Sequence, residues 1–222
     1  MPPGVSVIAI DGPAAAGKTA VGRELARALD FAYLDTGIMY RAITWLALNQ
    51  EISVADTVSL GELARANPLG FLKDDDTKVL VGGLTLGPEL RESPVDRNVS
   101  EVSKATEVRS ELVAQQRGVA AKGNIVMIGR DIGTVVLPDA DLKVYLTASP
   151  EVRAQRRWQE MQDRGKTVEL LTVLSETLAR DKTDSSREDS PLKPAIDSWE
   201  LNTDGLGISQ VVQMIIDRAQ TL

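Results

Sequence analysis

Short apolar runs alternate with amphipathic segments along most of the chain. Residues 5–10, 31–34, 125–128 and 142–146 are runs of four to six mainly apolar residues, a pattern that predicts buried strands. Apolar residues recur at helical spacing after the first two runs, at Val21, Leu25, Ala26 and Leu29 and at Ile38, Ala42, Ile43 and Leu46. Such alternation favours a parallel sheet covered by helices on both faces.

The stretch from 67 to 94 departs from this pattern. Two short apolar runs, at 79–81 and 84–86, are joined by Gly82-Gly83, which is typical of a two-residue hairpin turn. We therefore predict a small antiparallel sheet inserted into a core formed by 1–66 and 95–222. One helical region is expected to run from Ser93 to about Ala121.

Helix starts in the last third of the chain are marked by capping residues. Ser149 precedes a proline and an acid, which together predict a helix beginning at Pro150. A second helix is expected to begin at Thr167, and Ser209 is expected to cap the closing helix. A weak last strand is predicted over 198–202.

The strongest motif follows the first predicted strand. It reads Gly12-Pro13-Ala14-Ala15-Ala16-Gly17-Lys18-Thr19 and matches the phosphate-loop pattern G-x-x-x-x-G-K-S/T. Between a strand and a helix, such a loop surrounds an anion with backbone N–H groups and the positive end of the helix dipole. Lys18 would reach the β- and γ-phosphates, and the Thr19 hydroxyl would bind Mg²⁺. The alternative is a tight turn with an exposed lysine, but the strand and helix context favours nucleotide binding.

Composition narrows the chemistry. The 222 residues include no cysteine and no histidine, which excludes thiolate metal sites, a Ser-His-Asp triad and an imidazole base. The net charge of −7 argues against a nucleic-acid coat, and no apolar run approaches the roughly 20 residues that a membrane span needs. The N-terminus has no basic stretch before its apolar segment, so we expect no signal peptide and a cytoplasmic location.

Arginines and carboxylates gather at predicted helix faces and strand ends. Arg suits bidentate phosphate contacts, although a charged helix pair facing water is the alternative for each helix. Residues 153, 156 and 157 share one helical face, and residues 180, 184 and 187 share another if that helix continues. Strand ends carry Asp11, Asp35-Thr36-Gly37 and Gly129-Arg130-Asp131, where ligands bind in open parallel sheets.

The missing histidine is compatible with one reaction in particular. Phosphoryl transfer needs mainly positioning and positive charge. An acceptor that is itself a phosphate has a second pKa near 6, so it is largely ionised at neutral pH and needs no general base.

Together these motifs resemble the bacterial-type cytidylate kinases of the nucleoside monophosphate kinase group. The similarity covers essentially the whole chain and rests on residues 10–13 leading into the loop, 34–41, 129–136, 154–157, 180–187 and 190–192. It implies an α/β P-loop three-layer fold with a central five-stranded parallel sheet flanked by helices. The 67–94 insert would be the enlarged subdomain that binds the nucleoside monophosphate, and residues of about 150–190 would form a helical lid.

The resemblance implies transfer of the ATP γ-phosphoryl group to CMP or dCMP, as part of pyrimidine nucleotide metabolism. Nucleotides would be the partners, with neither nucleic acid nor membrane, Mg²⁺ would accompany ATP, and a monomer is expected. The implied catalytic residues are Lys18, Arg130, Arg180 and Arg187. Those implied for ATP are Gly12, Pro13, Ala14, Ala15, Ala16, Gly17, Lys18, Thr19, Ala20 and Arg157, and those for the metal are Thr19 and Asp35. Those implied for CMP are Thr36, Arg41, Ser100, Arg109, Arg130, Asp131, Arg180 and Asp184.

Within that set, Ser100, Arg109 and Asp131 would read the cytosine base, Arg41 and Arg130 would hold the CMP phosphate, and Asp184 would suit the ribose. The chain departs from the family at Ala15, where glycine is usual, and at Ala20. Ala15 would restrict the loop if that position requires a positive φ. Two alternatives remain: another small-molecule kinase of the shikimate or adenylate type, and a nucleotide-binding switch or assembly module with no acceptor.

Overall fold

The computed structural model describes residues 4–72, 75–186 and 189–222. The chain divides into two compact units, one formed by 1–33 with 123–222 and the other by 34–122. The expected insert, 67–94, is part of the second unit, together with four helices. Its role as a subdomain that binds the nucleoside monophosphate stays a prediction.

A five-stranded sheet has the order β2-β6-β1-β7-β8. Four of its strands lie in the first unit, whose boundary with the second unit falls within β2. Its strands are β1 (Val7–Asp11), β2 (Ala32–Asp35), β6 (Ile125–Ile128), β7 (Leu142–Thr147) and β8 (Trp199–Asn202). β1 is parallel to β6 and to β7, and β7 is parallel to β8. Every residue of β6 is buried, as expected of a parallel strand covered on both faces. The sheet confirms the predicted α/β architecture.

Four α-helices belong to the described part of the first unit. They are α1 (Lys18–Leu29), α6 (Pro150–Asp163), α7 (Leu170–Ser185) and α8 (Ile208–Ala219). The apolar face predicted for α1 is buried, and it joins residues of β1, β6, β7 and α8 in one hydrophobic core. Among the described residues, no helix combines the length and apolar character needed to cross a membrane.

The second unit combines helices with the three-stranded antiparallel sheet β3-β4-β5. Its elements are α2 (Thr36–Asn49), α3 (Thr57–Ala66), β3 (Gly70–Leu72), β4 (Asp75–Val81), β5 (Leu84–Leu86), a 3₁₀ turn (Pro88–Arg91), α4 (Ser93–Val102) and α5 (Thr106–Ala120). The predicted hairpin is confirmed, because Val81 pairs with Leu84 across Gly82 and Gly83. Both glycines have positive φ, +56° and +77°, as this tight turn requires.

One predicted helical region is divided, and one predicted helix start is wrong. The helical region expected from Ser93 to about Ala121 consists of two helices, between which the backbone at Ala105 is extended and the Ser103 hydroxyl donates to the Ser100 carbonyl. The helix expected at Thr167 begins at Leu170 after an extended Glu169.

The remaining differences concern caps. Ser209 lies inside α8, whose first turn is closed by Gln210 accepting from the Gly207 N–H at 2.8 Å. The helix α3 was not predicted, although Asp56 caps it by accepting from Ser59 N at 3.1 Å. The cap predicted at Ser149 is confirmed, since its hydroxyl accepts from Val152 N.

Candidate active site

The phosphate loop spans residues 12–17, between β1 and α1. Lys18 is buried, and its Nζ donates to the carbonyls of Gly12 at 2.7 Å and Pro13 at 2.6 Å, so its ammonium is folded over the loop. Gly12 has φ +143°, and a Cβ there would lie 2.0 Å from the Leu146 carbonyl oxygen of β7. Only glycine therefore allows the loop to lie this close to the sheet.

Ala15 has φ +59°, the left-handed conformation that glycine adopts without strain. The departure noted in the sequence thus falls at a position with a real backbone requirement. For a residue with a Cβ this conformation costs roughly 1–2 kcal/mol.

Asp11 joins the end of β1 to the segment that follows β6. Its two carboxylate oxygens accept from Ile132 N and Gly133 N, both at 2.7 Å. Burial raises the pKa of Asp11 to about 6; the nearby Asp131 acts in the same direction, whereas the two N–H donors and Lys18 oppose the rise. Sequence reasoning noted this carboxylate only as a strand end, yet it fixes the backbone beside Arg130 and Asp131.

A second group of charged side chains forms around α7. Asp184 is buried, its carboxylate accepts from Arg130 Nε at 3.0 Å, and its own carbonyl accepts from Leu192 N at 2.9 Å. Arg180 lies one helical turn before Asp184 on the same helix. The structure thus brings together Arg130 and Asp184, which the sequence predicted for one site. Arg187 lies outside the described residues.

The three arginines at the start of α6 have different partners, although they were expected to share a phosphate-facing surface. Arg153 is buried and pairs with Asp181 of α7. Arg156 donates to the Thr203 carbonyl at 2.8 Å and to its hydroxyl at 3.0 Å, and that hydroxyl contacts the Ala16 carbonyl of the phosphate loop. Arg157 pairs with the exposed Glu160. Thr203, just beyond β8, was not predicted and has no motif that marks it.

The second unit contains two of the predicted arginines, Arg41, which is half-buried, and Arg109, which is buried. Arg41 of α2 donates to the Leu90 carbonyl at 2.8 Å and pairs with Asp96 of α4 at 2.8 Å. Arg109 of α5 is only 4% exposed, and its guanidinium carbon lies 5.8 Å from the centre of the Tyr40 ring. A buried guanidinium over an aromatic face is held in one orientation, as base recognition requires.

Four further predicted residues lie in or next to helices, three of them in the second unit and one in the first. Ser100 is half-buried on α4, and Thr36 is buried at the first position of α2. Asp35 caps α2 by accepting from Gly37 N at 3.0 Å. Thr19 is the second residue of α1.

The two predicted metal residues are oxygen groups, one in each unit. Within the described ranges, no group of three or more acidic side chains could hold a metal by itself. Mg²⁺ is usually held by one or two protein oxygens plus substrate phosphates and waters. A hydroxyl at Thr19, beside the phosphate loop, and a carboxylate at Asp35 are ligands of this kind.

Comparison with known proteins gives consistent results. Residues 8–221 match the family model described as cytidylate kinase. The chain is 45% identical to a cytidylate kinase of Streptococcus sanguinis and 46% identical to one of Streptococcus agalactiae serotype III, in both cases over 97% of this chain and 96% of the relative. The crystal structure of TT1252 from Thermus thermophilus has the same fold, with a TM-score of 0.50, 18% identity and coverage of 96% and 97% of the two chains.

Proposed function

Because this chain belongs to the cytidylate kinase family, we propose that it transfers the γ-phosphoryl group of ATP to CMP or dCMP, releasing ADP with CDP or dCDP. The observation that carries this proposal is the first unit's pairing of a complete phosphate loop with the Arg130–Asp184 cluster. The loop would bind phosphates through backbone N–H groups and Lys18, and the Arg130–Asp184 cluster would supply charge for an acceptor nucleotide.

The loop side of the site is proposed to bind ATP through residues 12–20. Lys18 is held against the loop carbonyls, where the β- and γ-phosphates would meet its ammonium. Thr19 would hold Mg²⁺, and Asp35 stays a candidate for the metal. When bound, the metal neutralises charge on the phosphates. Arg157 is proposed to contact ATP, which requires it to exchange its surface partner Glu160 for a phosphate.

On the acceptor side, arginines are proposed to bind the phosphate of CMP, and oxygen acceptors are proposed to bind its ribose. Arg41 and Arg130 would bind the CMP phosphate. Arg180 and Arg187 would supply positive charge that stabilises the negative charge developing on the phosphoryl group during transfer. Asp184 and Thr36 would contact the ribose side of CMP.

The base would be recognised by Ser100, Arg109 and Asp131. A hydroxyl and a carboxylate can accept from the cytosine amino group, and a guanidinium can donate to N3 and O2. Arg109 is buried and oriented by Tyr40, which favours a fixed, selective contact. We propose further that the protein works as a monomer in the cytoplasm, in pyrimidine nucleotide metabolism.

The direct test is ADP release, coupled to an optical assay, with CMP, dCMP, UMP, AMP and shikimate supplied one at a time. Release that depends on CMP or dCMP is expected, and it should fall by at least 10²-fold in Lys18→Ala, because the loop loses its mobile charge. Release that depends on AMP or shikimate instead would favour another small-molecule kinase. ATP binding with no turnover on any acceptor would contradict the proposal.

Asp131→Ala tests base recognition within this assay. We expect the KM for CMP to rise at least tenfold while the KM for ATP changes less than twofold, because the lost carboxylate is proposed to contact only the acceptor base. Asp139→Ala is the matched control, since Asp139 is an exposed acid in the same segment. Equal changes in both KM values would argue against base recognition by Asp131.

A further inference from the structure

We propose that Arg153 and Asp181 form a positioning pair that links the backbone of the phosphate loop to the face of α7 carrying Arg180 and Asp184. The pair would couple binding of ATP phosphates to the placement of the residues that contact the acceptor. In that sense the inference rests on the proposed function, but the link itself is a property of the first unit alone.

The pair is bidentate, with Arg153 buried and Asp181 partly exposed. Arg153 Nη1 and Nη2 donate to the two carboxylate oxygens of Asp181 at 2.9 and 2.6 Å, and the Arg153 side chain is 4% exposed. Removing the Arg153 charge from water costs about as much as its attraction to Asp181 returns, so stability alone gives little reason for a buried arginine here. The geometry instead fixes α6 and α7 in one relative position.

Arg153 also contacts the phosphate loop. Its Nη1 donates to the Ala14 carbonyl at 3.3 Å, and its Nε donates to the Ala148 carbonyl at the end of β7 at 2.9 Å. One guanidinium therefore joins the loop, the sheet and α7. Ala14 precedes Ala15, whose φ is positive. Any shift of the loop on binding phosphates would therefore change the hydrogen bond between Arg153 and the Ala14 carbonyl.

Four of the five N–H donors of Arg153 are occupied by these contacts. Little of the side chain is left to bind ATP phosphate directly. This distinguishes it from Arg157 on the same helix, whose partner is an exposed glutamate. Arg153 therefore acts through other residues and is a positioning residue.

On α7, Asp181 lies between the residues it would position. It follows Arg180 directly and precedes Asp184 by three positions, which places Asp184 on the adjoining turn. Asp184 in turn accepts from Arg130 at 3.0 Å. A continuous series of contacts thus runs from Ala14 through Arg153, Asp181 and α7 to Arg130.

The kinetic test compares Arg153→Met, Asp181→Asn and the double variant. We expect each single variant to raise the KM for CMP and to lower kcat, so that kcat/KM for CMP falls about tenfold. The double variant should be no worse than either single one, because all three break the same link. Arg65→Met is the control, since Arg65 forms an exposed ion pair with Glu111 between two helices.

Two results would overturn the proposal. If Arg153→Met raised only the KM for ATP and Asp181→Asn changed nothing, Arg153 would be a direct phosphate ligand. If all three variants had wild-type kinetics and only lower melting temperatures, the pair would be structural. Arg153→Lys keeps the charge without the bidentate geometry, so it supplies the same comparison if Arg153→Met fails to fold.

A second readout needs no acceptor. Amide hydrogen exchange in residues 170–185 is measured with and without a non-hydrolysable ATP analogue and Mg²⁺. We expect the analogue to slow exchange in wild type but not in Arg153→Met or Arg153→Lys, even when the analogue is present at saturation. If wild type forms no ADP with CMP yet shows this response, the proposed function fails and the link stands. If the analogue binds wild type without slowing exchange there, the link fails.

Discussion

Asp11 binds two backbone N–H groups with a carboxylate that the first unit almost completely buries. Burial is the main cause of its raised pKa of about 6, against 3.8 for an ordinary aspartate. At neutral pH the group is ionised, at a cost of roughly 3 kcal/mol relative to the same carboxylate in the unfolded chain. The protein thus accepts a loss of stability at this residue to hold the segment beside Arg130.

The pH dependence of stability should show this cost. A folded-state pKa above the unfolded value means that the folded protein binds more protons between about pH 4 and 6. The favourable contribution of Asp11 is therefore present below about pH 4 and lost as pH rises through 6. We expect the free energy of unfolding of wild type minus that of Asp11→Asn to fall by up to roughly 3 kcal/mol from pH 4 to 7. Urea unfolding at several pH values measures it.

Asp56→Asn provides a control of opposite sign. Hydrogen bonds from the Ser59 side chain and backbone lower the pKa of the exposed Asp56. Its contribution to stability is present above the unfolded pKa and lost as pH falls, so its difference curve should rise with pH. A curve for Asp11 that stays flat between pH 4 and 7 would show that its pKa is not raised.

At the scale of elements, the packing of α1 on the sheet depends on a glycine. A Cβ added at Gly22 would lie 2.6 Å from Ile128 Cγ2 of β6 and 3.1 Å from the Tyr33 ring. At Gly118, within α5, an added Cβ would meet nothing within 4 Å. The two positions therefore separate the effect of packing from the effect of helix propensity.

We expect Gly22→Ala to lower the free energy of unfolding by about 1–3 kcal/mol, because overpacking outweighs the better helix propensity of alanine. Gly118→Ala should raise it by up to about 1 kcal/mol, because only propensity changes there. Urea unfolding of the two variants beside wild type measures both. Stabilisation of both variants alike would mean that α1 can move away from β6 at little cost.

Elements with local signals could be predicted from the sequence. The glycine pair at 82–83 fixes a hairpin, and the 3.6-residue apolar spacing of α1 fixes its buried face. The break at Ser103–Ala105 could not be predicted, because it depends on how α4 and α5 pack. In the candidate site, the motif marks the phosphate loop. The spacing of 153, 156 and 157 places three arginines on one face, but the docking of α7 decides which of them is buried.

At the scale of the whole molecule, the acidic chain buries one arginine beside the phosphate loop and another in the second unit. Its net charge is −7, yet Arg109 and Arg153 are both buried. The first unit holds the phosphate loop with Lys18, and the second holds Arg41 and Arg109. Since Lys18 is proposed for ATP and Arg109 for CMP, ATP and CMP should stabilise the protein through separable sets of residues.

Ligand-induced shifts in melting temperature test this separation. At 100 times its dissociation constant, a ligand stabilises the folded state by about 2.7 kcal/mol, which is about 5–10 °C for a chain of this length. In Arg109→Met, we expect a hundredfold weaker CMP affinity to reduce the stabilisation by CMP to about 0.4 kcal/mol at the same concentration, with the ATP-analogue shift retained. Lys18→Ala should show the reverse. Loss of both shifts in either variant would mean that the two nucleotides depend on one shared set of residues, and the assignment of Arg109 to the base would then be wrong.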